Sequence, residues 1–239
     1  MTSTRTVWIT GAGSGLGRAL AERFAMNGDT VILSGRRASN LQAAARAIRA
    51  AGGSCSVVPL DVRNEASVNR AARKILQGHK SVDILVNNAG TTAFKDVRAT
   101  SVREFENIVS TNLIGSYRVT KSVLPAMLKQ KRGIILNIIS YAAKTVYTGS
   151  AAYTASKTGT AAMMNVLREE VRGKGIRVVN VYPGAVDTPI WSAQVRKKYS
   201  PAMMTAWEVS SMIYEATVQK PNVGVEELVI RPAIGDLRV

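Results

Sequence analysis

Four glycines, at positions 11, 13, 15 and 17 of the run TGAGSGLG, stand between a short apolar segment, VWIT, and an amphipathic one, LGRALAERF. A backbone can turn this tightly from strand to helix, and leave room for a ligand against its own amides, where side chains are missing. The helix that follows opens with unpaired N–H groups, which make its N-terminus an anion site. The spacing from Gly11 to Gly15 to Gly17 is Gly-x3-Gly-x-Gly, which differs from the Gly-x-Gly-x2-Gly of the general dinucleotide fingerprint. A tight strand-to-helix connection alone would also use glycines, so the downstream chain has to decide between the two.

Downstream, short apolar runs alternate with longer amphipathic ones. Strands are expected at 5–10, 30–35, 55–61, 83–88, 133–140, 176–183 and 226–232. The segments 16–28, 39–53 and 67–79 carry apolar residues at helical spacing and end at or near glycine. Residues 102–130 read as two consecutive helices, and 151–173 as one long helix. This is the pattern of repeated βαβ units, hence an α/β fold: a doubly wound, seven-stranded parallel sheet flanked by helices, in a single domain spanning 1–239. After Thr188 the rhythm stops, and residues from about 188 to 207 are the expected place for a substrate lid.

Composition narrows the function classes. No apolar run approaches the roughly 20 residues a membrane helix needs, and GIILNII is the longest of its kind. The residues ahead of the glycine loop are needed as a strand, which argues against a signal peptide and for a cytoplasmic protein. One cysteine, Cys55, and one histidine, His79, offer no disulfide and no metal cluster. The formal charge of +16 raises acidic partners, but the basic clusters at Arg36–Arg37, Lys129–Arg132 and Arg196–Lys198 are dispersed and lack interleaved aromatics. Solvated surface is the favoured reading, with nucleic acid disfavoured.

The segment YTASK places Tyr153 and Lys157 four residues apart, on one face of the long helix, with Ser140 upstream at a strand end. A cation beside a phenol favours its ionised form, and a tyrosine of pKa about 10 needs that help to act as a base near neutrality. The glycine loop, the NNAG at Asn87–Gly90, and Ser140 followed by YxxxK resemble the short-chain dehydrogenase/reductase family from about Arg5 to Pro232. The resemblance implies hydride transfer to or from nicotinamide, with Tyr153 as general acid/base. Lys157 would tune it and bond the nicotinamide ribose, Ser140 would steady the substrate oxygen, and Asn112 would position a relay water. It also implies cofactor contacts from Gly11, Ser14, Gly15, Leu16 and Gly17 and, for the adenine, from Asp61 and Val62. Asn88, Ala89 and Gly90 would pass under the cofactor, with Pro183, Gly184, Val186 and Thr188 of PGAVDT holding its nicotinamide end. Asn87 is open to either a structural or a binding role. The family's helices at about 112–130 and 151–173 pair across subunits, so a homo-oligomer, dimer or tetramer, is expected.

The second strand ends Ser34, Gly35, Arg36, Arg37, without the carboxylate that binds the ribose of NAD. Arginine there clamps a 2′-phosphate, so NADP is the expected cofactor, with Arg36 the main contact and Arg37 a weaker one. Ser14 stands where many NADP-preferring relatives carry a basic residue. Candidate pocket residues Phe94, Ala142, Lys144, Tyr147, Ala185, Ile190, Trp191, Met203, Met204 and Trp207 are mostly apolar, which favours a medium or bulky hydrophobic carbonyl or alcohol substrate. Two alternatives stand beside this. One is a 3-oxoacyl-[acyl-carrier-protein] reductase docking its carrier on Lys129, Lys131, Arg132 and Lys174, and the other is an NADP-sensing or nucleic-acid-associated scaffold without catalysis.

Overall fold

The computed structural model describes residues 4–220 and 222–237. Seven parallel strands form one sheet: β1 (Thr6–Thr10), β2 (Thr30–Ser34), β3 (Ser54–Val57), β4 (Ile84–Asn87), β5 (Gly133–Ile138), β6 (Ile176–Pro183) and β9 (Glu227–Ile230), in the order β3-β2-β1-β4-β5-β6-β9. The chain winds outward from β1 to β3, then returns to the far side of β1 with β4. That reversal makes the loops after β1 and β4 diverge, opening a crevice at the carboxyl ends of the strands.

Alternation along β1 assigns the two faces. Val7 and Ile9 join one apolar core with Leu20, Phe24 and Leu41 from α1 (Gly15–Met26) and α2 (Ala38–Ala50), and with Val209 and Ile213 from α8 (Ala206–Thr217). Trp8 points the other way, into a core with Val68, Val119, Val123 and Met164 from α3 (Glu65–Gly78), α5 (Gly115–Gln130) and α6 (Ala151–Val171). Both faces are covered, so the central strands are apolar throughout.

Among the buried polar exceptions are three asparagines in register. Asn87 on β4 donates to Asn137 on β5 (2.9 Å), and Asn137 donates to Asn180 on β6 (3.1 Å). Asn87 also donates to Thr120 of α5 (2.9 Å), and Asn180 to Asn165 of α6 (2.9 Å), so this ladder ties the sheet to both helices.

The two consecutive helices expected at 102–130 are α4 (Val102–Val109) and α5, joined without a loop by a π-helical turn, Ser110–Ile114. Two other expectations are corrected. The third strand ends at Val57, because Val58 and Leu60 leave the ladder to follow Leu33 and Gly35 by single bonds. The segment after Thr188 is also less irregular than its sequence. It contains α7 (Ala193–Tyr199), and β8 (Met204–Thr205) pairs in parallel with β7 (Val186–Asp187).

Candidate active site

The crevice is a cleft of about 940 Å³ along the carboxyl edge of the sheet. At its floor, Gly11 has φ +69°, and a Cβ there would come within 2.8 Å of the Asn88 amide and 3.0 Å of Ala89 Cα. A side chain at Gly17 would collide with Asn88 and the Gly11 carbonyl. Glycine is therefore required where the β1–α1 turn crosses the end of β4. Asn88 secures the crossing by donating to the Thr10 carbonyl (2.9 Å), while Thr10 Oγ1 accepts from the Asn88 and Ala89 amides. The start of α1 has no side-chain cap on Ser14 and no acidic residue in its first turn, so its amides face the cleft free for an anion.

Every residue expected to hold a cofactor lines this cleft: Gly11, Ser14, Gly15, Leu16, Gly17, Arg36, Arg37, Asp61, Val62, Asn88, Ala89, Gly90, Tyr153, Lys157, Pro183, Gly184, Val186 and Thr188. The exposed guanidinium groups of Arg36 and Arg37 lie at the α1–α2 end. Arg63, absent from the sequence-based set, joins them, pairing with the Asp61 carboxylate through two nitrogens (2.8 and 3.1 Å). That pairing, aided by Arg36, holds Asp61 below the usual carboxylate range. Sequence spacing gives no signal for Arg63 beyond its place two residues after Asp61.

At the other end stand Ser140, Tyr153 and Lys157. The Ser140 Oγ accepts the Ala142 amide (3.1 Å), which leaves its own proton free to donate, and it lies against the Tyr153 hydroxyl. Lys157, almost fully buried, donates to the Ile138 carbonyl at the end of β5 (2.7 Å), and its Nζ is 5.8 Å from the centre of the Tyr153 ring. The expectation that Lys157 lowers the Tyr153 pKa is not met here. Burial disfavours both charged forms, raising Tyr153 against a smaller opposing pull from Ser140 and bringing Lys157 down to about 8. At neutral pH the phenol keeps its proton and the lysine is still mostly charged, a pair suited to giving a proton away.

Asn112 does not line the cleft. It is buried in the π turn, where its side chain exchanges two bonds with the Thr91 backbone (both 2.9 Å) and donates to Ser156 (2.9 Å). Its carbonyl is taken up by the Ser116 hydroxyl (2.7 Å). Asn112 thus locks the loop after β4 onto the helix that carries Tyr153. Asn87 likewise belongs to the buried ladder, away from the cleft.

The pocket residues divide. Phe94, Ala142, Tyr147, Ala185, Ile190 and Trp191 line the cleft, together with Tyr141, Asp236 and Leu237, which the sequence did not single out. Lys144 instead pairs with Glu227 (2.7 Å), and Trp207 lies on the far side of α1, its ring 3.7 Å from the Arg23 guanidinium. Met203 is buried and Met204 half-buried against the core, outside the cleft. Above the pocket, Asp187 accepts from Arg196 and from the Ser200 hydroxyl (2.7 Å), pinning α7 onto β7. These bonds also keep the Asp187 carboxylate low.

Comparison with known proteins agrees with this geometry. The chain is 32% identical to a sepiapterin reductase of Chlorobaculum tepidum over 237 residues, covering 96% of this chain and 97% of that protein. It is also 32% identical to an uncharacterised oxidoreductase of Staphylococcus aureus strain N315, covering 94% and 95%. Among solved structures, a variant of actinorhodin polyketide ketoreductase with NADPH superposes with a TM-score of 0.90 at 28% identity, covering 99% of both chains. A metagenomic short-chain oxidoreductase in complex with NADP gives 0.85 at 30% identity, covering 96% and 97%. Residues 5–199 match the family model for short chain dehydrogenases, and with a glycine crossing, a switch-point cleft and a Ser-Tyr-Lys wall in one chain, this protein belongs to the short-chain dehydrogenase/reductase family.

Proposed function

We propose that the chain is an NADP-dependent oxidoreductase that transfers a hydride between the nicotinamide and a ketone, aldehyde or secondary alcohol. The observation that carries this reading is the meeting of Ser140, Tyr153 and Lys157 in one cleft whose other end offers uncapped helix amides and the arginines 36 and 37. When bound, the cofactor supplies or accepts the hydride. The protein's own residues do the rest: the α1 amides take the pyrophosphate, and Arg36, assisted by Arg37, takes the 2′-phosphate. Pro183, Gly184, Val186 and Thr188 border the nicotinamide end. Similar structures solved with NADP or NADPH bound are in keeping with this choice.

Ser140 donates to the substrate oxygen, Tyr153 gives or takes the proton there, and charged Lys157 sits behind Tyr153. With its proton in place, Tyr153 can serve as the acid when a carbonyl is reduced. Asn112 acts as a positioning residue. Exposed Phe105, Ile114 and Tyr117 on the α4–α5 helix and Val166 on α6 support a homo-oligomer formed through these helices, in a single-domain protein with residues 188–207 as its lid. We assign it to the cytoplasm, in keeping with NADPH-linked reduction and with the finding that no helix among the described residues is long and apolar enough to cross a membrane.

The acyl-carrier reading is disfavoured on position. Lys129, Lys131, Arg132 and Lys174 lie just before β5 and β6, at the end of the sheet opposite the cleft, and Arg132 is already paired with Asp83 (2.7 Å). The test is NADPH-linked turnover across a panel of ketones and aldehydes, with Tyr153→Phe as control. Tyr153→Phe should abolish turnover and leave NADPH binding nearly unchanged. Activity within a few-fold of wild type would remove Tyr153 from the chemistry.

A further inference from the structure

Two flat rings stack beside the ring of Tyr153. Phe94, on the loop after β4, and Trp191, at the start of the lid, stack with centroids 5.1 Å apart and planes 8° from parallel. They come from segments far apart in sequence, so the stack joins the lid to the loop that Asn112 anchors. Trp191 is fixed by its indole N–H, which donates to the Val186 carbonyl (3.1 Å). Phe94 leaves 50% of its surface exposed, and its ring centre is 6.5 Å from that of Tyr153, tilted by 57°. Tyr147 and Ile190 complete the lining at this end.

Resting on the oxidoreductase reading, we propose that the Phe94–Trp191 pair determines specificity and that the substrate is an aryl carbonyl, its C=O attached directly to a flat aromatic ring. Aromatic pairs attract at centroid separations of about 4.5–7 Å in offset or tilted arrangements. Tyr153 and Phe94 are already within that range of each other. With the carbonyl oxygen at the Tyr153 hydroxyl, a ring bonded to its carbon would meet the half-exposed Phe94, which borders the same cleft. A saturated ring of the same carbon skeleton is thicker and lacks the quadrupole that such a surface recognises. In the reaction, hydride from NADPH forms a C–H bond at the carbonyl carbon as the C=O π bond breaks. The Tyr153 proton completes the O–H of the product alcohol, NADPH is oxidised to NADP⁺, and Tyr153 recovers a proton from solvent.

The test compares acetophenone with cyclohexyl methyl ketone as NADPH-linked substrates of wild type, Phe94→Leu, Phe94→Tyr and Trp191→Leu. The kcat/KM ratio of the two ketones is taken within each protein, so their intrinsic reactivity difference cancels between proteins. The ratio should favour acetophenone in wild type, fall about 2- to 12-fold in Phe94→Leu and Trp191→Leu, and hold in Phe94→Tyr, which keeps the ring. The use of two leucine variants means the result does not depend on either one folding. An unchanged ratio in the leucine variants, or an equal fall in Phe94→Tyr, would overturn the proposal. Turnover of the saturated ketone but not acetophenone would overturn the aryl preference and leave the oxidoreductase reading standing. Turnover of neither, nor of any other carbonyl, would overturn both.

Discussion

Lys157 should make the protein less stable than it need be. Its ammonium is almost fully buried, its one hydrogen bond among the described residues goes to the Ile138 carbonyl, and burial lowers its pKa from 10.5 to about 8. At 1.36 kcal/mol per pH unit, that shift means the charged form costs the fold roughly 3 kcal/mol. The sign follows from proton counts. Between about pH 8 and 10.5 the unfolded chain holds the proton and the folded one does not, so stability rises with pH through this window. Below about pH 8 the penalty is present in full. Lys157→Met keeps a chain of similar length, removes the charge and forfeits one hydrogen bond worth about 1 kcal/mol. The net expectation at pH 7 is a gain of about 1–2 kcal/mol, raising Tm by roughly 2–8 °C in a chain of this size. Turnover should be lost in the same variant. Thermal unfolding at pH 7 and 9.5 checks this: the variant should be more stable at pH 7, and the gap should narrow at pH 9.5. A lower Tm for Lys157→Met at pH 7, or a gap independent of pH, would show that the buried ammonium is not held at a cost.

In the same free enzyme, kcat/KM for NADPH should decline as pH rises through about 8, where Lys157 loses its charge. A profile flat from pH 6 to 10 would separate the lysine's charge from its role. Arg36→Ala should weaken NADPH binding by about 5- to 30-fold, a charge-assisted bond of roughly 1.5–3 kcal/mol reduced because the side chain is exposed. Binding titrations with NADH should show little change, and equal loss for both cofactors would reduce Arg36 to surface. Asn137→Leu breaks the middle of the buried ladder, leaving Asn87 and Asn180 short of partners, and should cost about 2–4 kcal/mol. Urea denaturation measures it, and a change below 0.5 kcal/mol would mean that the ladder adds little. Light scattering at micromolar concentration should report a multiple of the 25.6 kDa chain, and a monomer would contradict the helix-face interface.

Local pattern alone determined the glycine crossing, the seven strands and the Tyr153–Lys157 helix. Each depends on neighbours within a few residues: missing side chains, apolar runs of strand length, and the shared face of positions i and i+4. Arg36 and Arg37 were legible for the same reason, since a strand end in this topology always faces the crevice. Tertiary structure alone decided what depends on residues distant in sequence. No spacing rule announces that Lys144 turns away to Glu227, or that Trp207 packs behind α1. Nor does helical periodicity reveal the π turn that buries Asn112 against Thr91, because the pattern drifts by only one residue there. The state of the site belongs to this second kind. Residue types suggested a lysine that ionises its tyrosine, but desolvation, a property of everything packed around the pair, leaves Tyr153 protonated and Lys157 weakened as a cation.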